Sequence, residues 1–197
     1  MSLVEFGQIQ KETPSCRQEN SKKHPDYLNK SGTYCYFSSD SDGVMTKHLG
    51  KIILGEDKHY WSYGNFNMMR LIFWILEQTG PAEIILSTYS ISTKTLQGII
   101  NRREKGIIKD IRFIMDNRVR SLSPKPFAIL AANFEYRCTS IHAKVACIWN
   151  DQWKISVVSS QNATDNPKIE RGTIHTSAEV FEFDKHILEN VFDAGTT

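Results

Sequence analysis

Between residues 83 and 133 short apolar runs alternate with stretches of helical period, and this alternation limits the folds open to the chain more than any other feature. Residues 83–89 and 110–116 have strand length and are rich in β-branched and apolar side chains. A helix is expected between them, begun by Ser92 or Thr93, carrying Leu96, Ile99 and Ile100 on one face, and stopped near Gly106. Another is expected before them, capped by Asn65 and ended at Gly80-Pro81, and a third over residues 126–133. Strand–helix–strand repetition is the mark of βαβ units, whose parallel strands need helices to cover both faces. The expected fold is α/β, a mixed, largely parallel sheet flanked by helices on both faces.

Downstream the pattern changes. Residues 139–149 and 153–158 are strand-like runs joined at Asn150-Asp151-Gln152, the spacing of a hairpin. Residues 178–183 are expected as a further strand, leading into a helix from Asp184 with Ile187, Leu188, Val191 and Phe192. Upstream, residues 34–37 and 50–54 form short β-like pieces. The expected organisation is a flexible polar arm over residues 1–32, a β-rich extension over 33–64, and a catalytic domain over 65–197.

At 197 residues and 40% hydrophobic content the chain can bury one core without disulfide staples. The 24 basic residues against 22 acidic ones exclude a strongly basic coat, though not a local basic groove. Cys16, Cys35, Cys138 and Cys147 form no C-x-x-C pair, and Cys138 and Cys147 are expected as small buried thiols rather than zinc ligands. The longest apolar run, within residues 68–76, is broken by Arg70 and too short to span a bilayer. Residues 1–11 lack the basic start and apolar core of a signal peptide, so the expected compartment is cytoplasmic, without membrane contact.

The hairpin holds the chemistry. Residues two apart on a strand share a face, which projects His142 and Lys144 together; Ser160 and Asn162, after the partner strand, follow the same rule if the backbone stays extended. A neutral imidazole is a nucleophile able to take a phosphoryl group, an ammonium opposes non-bridging oxygens, and serine and asparagine donate neutral hydrogen bonds. Glu170 could accept from an imidazole nitrogen and fix its tautomer. Such a set needs no metal and no cofactor.

His142-x-Lys144 followed by Ser160-x-Asn162 resembles the H-x-K-x4-D…G-S-x-N signature of the phospholipase D superfamily, and the resemblance runs from about residue 83 to 192. It implies a phosphohistidine intermediate, with His142 as nucleophile or acid, Lys144, Ser160 and Asn162 as the phosphate cradle, and Glu170 as the orienting acid. Trp149 stands at the spacing of the motif aspartate, and Ser159 replaces the glycine before the serine. One motif copy is similar to the small nucleases in which two subunits pair their motifs. The resemblance therefore implies a homodimer with one shared site, and DNA or RNA as substrate.

Tyr89, Ser90 and Arg118 follow strand ends, where ligands gather in open α/β sheets, and are candidate substrate contacts. His59, beside Tyr60 and Trp61, is expected either in core packing or on a base-stacking surface. His175 and His186 are expected as surface or packing residues. A catalytically impaired module that binds phosphate or nucleic acid is the alternative to the enzyme. A phospholipase is disfavoured by the lack of an interfacial amphipathic segment.

Overall fold

The computed structural model of the chain describes residues 28–30, 32–36 and 44–197. Most of the expected N-terminal arm, Cys16 and the turn signal at residues 38–43 lie outside the described residues. The strands are β1 (Leu28–Lys30), β2 (Gly32–Tyr36), β3 (Lys58–Tyr63), β4 (Ala82–Thr88), β5 (Ile108–Asp116), β6 (Glu135–Thr139), β7 (Lys144–Trp149), β8 (Lys154–Ser159) and β9 (Ile169–His175). The helices are α1 (Val44–Leu49), α2 (Met68–Thr79), α3 (Thr93–Glu104), α4 (Val119–Leu122), α5 (Pro124–Asn133) and α6 (Ala178–Ala194).

The described strands form one sheet in the order β1-β2-β3-β9-β8-β7-β4-β5-β6. The βαβ expectation holds for β4, β5 and β6, which run parallel. Elsewhere it fails. The sheet is mixed but mostly antiparallel, not largely parallel, because β7, β8 and β9 follow one another through short connections and pair antiparallel with β4 and β3 at either side.

Alternation along the central strands builds two cores. Ile84, Leu86, Phe113, Met115, Ala146 and Ile148 point to one face and pack with α2, α3 and Leu130 of α5. Ile85, Ile114 and Cys147 point to the other and meet Phe181, Leu188 and Phe192 of α6. Burying each of these α6 side chains contributes about 1.5–3 kcal/mol relative to exposure. Cys138 and Cys147 are buried free thiols. Burial pushes the Cys147 thiol up to about 12, so it packs as a small apolar group.

Asn67, not Asn65, caps α2, accepting from the Arg70 amide at 2.9 Å. Met68, Met69, Leu71, Ile72 and Ile75 of that helix are fully buried, so the run is core. Ser92 caps α3 by accepting from the Thr95 amide. Residues 50–54 are not a strand. Residues 178–183 are the first turns of α6 and not a strand: Ser177 accepts from the Val180 amide, and Phe181 begins a buried helical stripe that continues through Leu188 and Phe192. No described helix is long and apolar enough to cross a membrane.

Candidate active site

The antiparallel strands bring five chain segments together at one end of the central strands. Lys144 opens β7 where β4 closes, since Ser87 pairs with Val145. Ser159, the last residue of β8, pairs with Lys144 on one side and with Gly172 of β9 on the other. Tyr89 follows β4, Arg118 follows β5, His142 precedes β7, Ser160 follows β8, and Glu170 is the second residue of β9. The candidate residues thus stand side by side in the order Glu170, Ser160, Lys144, Tyr89, Arg118.

The His142 side chain is exposed, whereas Lys144 is 6% exposed. The Lys144 ammonium lies 3.2 Å from both His142 ring nitrogens and donates to the His142 carbonyl at 2.8 Å. An ammonium accepts nothing, so a ring nitrogen that it reaches must offer its lone pair. Burial pulls the Lys144 pKa below its ordinary value, and the Glu170 carboxylate works against that fall. His142 and Lys144 therefore meet as the period-two reading expects, although His142 sits in the loop before the strand.

Ser160 donates to Glu170 and accepts from the Arg171 amide at 3.0 Å. The other Glu170 oxygen accepts from the Asn166 side chain at 2.7 Å. Glu170 is thus joined to serine rather than to an imidazole nitrogen. The Asn162 side-chain oxygen accepts from the Tyr89 amide at 3.1 Å, and its backbone carbonyl accepts from the Met68 amide, fastening the loop after β8 to β4 and α2. Its side-chain nitrogen donates to no group among the described residues. The Tyr89 ring stands edge-on to the His142 ring at 5.4 Å between centroids, with the Arg118 guanidinium 4.9 Å from its own centroid. The Ser90 hydroxyl pairs with Thr164.

Two supports escaped sequence reasoning. Gln161 is buried, donates to Ser62 and the Phe66 carbonyl, and takes the Tyr60 hydroxyl at 2.9 Å, which holds the turn between Ser160 and Asn162. A glutamine in a polar loop gives no signal of this. Asp116 grips Arg118 through both carboxylate oxygens and accepts from its amide, and its place two residues before Arg118 at a strand end was the available clue. The Arg118 side-chain hydrogen bond holds the Asp116 carboxyl below its usual range. A depressed folded-state pKa contributes stability that is present above the unfolded value and lost as pH falls through the folded one. Asp116→Asn is accordingly expected to lower stability at neutral pH, with the gap from the native chain closing on acidification below the ordinary aspartate value of 3.8. Urea unfolding across that range measures it.

Among the described residues no three His, Cys, Asp or Glu side chains cluster as metal ligands would. A hollow between α2 and α3, lined by Phe73, Leu76, Arg102 and Lys105, shares no residue with the cluster at His142.

No protein-family model matches the chain, and no curated protein does. Similar solved structures include TrmBL2, an archaeal chromatin protein with a novel mode of DNA binding, at 12% identity and a TM-score of 0.46 over 70% of this chain. Polyphosphate kinase from Porphyromonas gingivalis matches at 16% identity and 0.46 over 64% of this chain. Phosphatidylserine synthase of Haemophilus influenzae matches at 12% and 0.47 over 69%. The chain spans 52%, 22% and 38% of their respective lengths. At these scores the likenesses carry no functional argument, which rests on the residues.

Proposed function

We propose that the chain is a metal-independent phosphodiesterase, a nuclease, working through a phosphohistidine intermediate at a site shared by two copies of the chain. The observation that carries this reading is the 3.2 Å approach of the Lys144 ammonium to the exposed His142 ring, beside the Ser160–Glu170 pair. An imidazole nitrogen attacks phosphorus and the P–O bond to the leaving group breaks. Lys144 and the Asn162 amide offset charge on the non-bridging oxygens. The leaving alkoxide takes a proton from a second imidazole, and water then cleaves the P–N bond, regenerating His142. The described residues supply one such histidine, so a second copy provides the other.

Loss of the motif aspartate does not oppose this reading. Trp149 ends β7 five residues from Lys144, which is roughly 17 Å along a strand. It packs edge-on against Phe181 at 6.0 Å, in the core under α6. A substitution there leaves the reacting groups untouched.

The test incubates the full chain, in EDTA, with nucleic acid and with bis(4-nitrophenyl) phosphate. Hydrolysis of both that persists in chelator is the expected result. Binding without hydrolysis of either would leave the impaired-module reading in its place. Light scattering of the active sample is expected to give the mass of a dimer, and an active monomer would remove the shared site.

A further inference from the structure

Strand β3 alternates along its length. Lys58, Tyr60 and Ser62 are buried, whereas His59, Trp61 and Tyr63 turn to the opposite face of the sheet. On that opposite face α6 covers β4, β5 and β7, and reaches β8 where Ser156 donates to Asp184. Among the described residues no helix continues the cover over β9 and β3.

Register assembles what stands there. Trp61 pairs with Arg171, His59 with Thr173, and Tyr63 with Ile169; Val158 of β8 lies beside Thr173. Trp61 is half-buried and Arg171 exposed. The Arg171 guanidinium has no acidic partner among the described residues. It stands near enough to His59 to help burial, the larger cause, hold that imidazole below its ordinary pKa. An indole beside an unneutralised guanidinium suits a polyanion with flat rings: bases stack on the indole and a phosphate meets the cation. A neutral protein surface would instead have to cover Arg171 unpaired, which is unfavourable.

The patch lies on the opposite face of the sheet from Glu170 and Lys144, and the backbone joins it to the candidate active site at the strand end. Arg171 follows Glu170, its amide donates to the Ser160 hydroxyl at 3.0 Å, and the Ser160 amide donates to its carbonyl at 2.9 Å. We infer that this face is a platform for unpaired nucleic acid, with Trp61 as stacking surface and Arg171 as phosphate contact, and that the substrate is single-stranded. The substrate statement rests on the proposed phosphodiesterase reading; the binding statement does not.

Binding of a fluorescein-labelled 20-mer of thymidine, read by anisotropy on full-length His142→Ala protein, tests it. Adding Trp61→Ala should weaken binding by about 5- to 100-fold, whereas Trp61→Phe, which keeps a stacking ring, retains most of the affinity. Arg171→Ala should lower the slope of log affinity against log salt by about one. A duplex of the same length should bind more weakly than the single strand. Unchanged affinity in Trp61→Ala, or preference for duplex, overturns the platform. So does a Trp61→Ala protein that keeps its affinity but loses self-association, since the face would then be a contact between copies. Hydrolysis of bis(4-nitrophenyl) phosphate by the native chain, measured in parallel, reports on the chemical centre alone, so each reading fails separately.

Discussion

His142→Ala is expected to abolish phosphodiester hydrolysis, with a fall in kcat of at least about 10⁴-fold, while the fold stays intact. The size follows from the role. A nucleophile that forms the covalent intermediate has no substitute among its neighbours: the Lys144 ammonium already donates to the His142 carbonyl, and the Ser160 hydroxyl already donates to the Glu170 carboxylate. The small structural cost follows from exposure, because the ring contributes little to either core. Lys144→Met is expected to fall less in kcat, by about 10²–10³-fold, as removal of one transition-state donor does. Rates with bis(4-nitrophenyl) phosphate, together with thermal unfolding of each variant, separate the two effects.

Gly172→Ala is expected to destabilise the protein by about 3 kcal/mol or more. A Cβ at Gly172 would lie 2.3 Å from the Tyr60 hydroxyl oxygen and 2.4 Å from the ring carbon that bears it. That ring is fully buried and its hydroxyl is engaged with Ser159 and Gln161, so it has nowhere to retreat. Lys144, Ser159, Gly172 and Tyr60 form one row of register partners across four strands. A shift of Tyr60 is therefore passed to the residue paired with Lys144, and hydrolysis should fall along with stability. Combining Gly172→Ala with Tyr60→Leu tests the cause: the two costs should add to less than their sum, because the shorter side chain leaves room for the methyl. Urea unfolding of the four proteins measures that coupling.

The sequence carried the βαβ half of the fold because apolar periodicity there is strong and bounded by good stops, Gly80-Pro81 and Gly106. It misled where two rules competed. Residues 178–183 alternate like a strand, but Ser177 caps a helix whose apolar stripe continues for three more turns, and Phe183 is left 68% exposed as a result. Strands β6 and β9 were hidden because Glu135, Arg137, Glu170 and Arg171 dilute their hydrophobicity; their places in the sheet come from pairing with neighbours, which no local window contains. Missing β9 meant missing that the sheet is mostly antiparallel. The His142–Lys144 pair was legible because two residues so near in sequence need only a local rule, even with His142 in the loop before β7. The Ser160–Glu170 partnership was not, since it depends on a turn braced by buried Gln161 from inside the protein.

The most direct measurement is the stereochemical course at phosphorus. A diester made chiral with sulfur and oxygen isotopes is turned over by the native chain in EDTA, and the product is read by phosphorus NMR. Attack by His142 followed by attack of water inverts the centre twice, so net retention is the predicted result. Inversion would mean that water attacks phosphorus directly and would contradict a covalent role for His142.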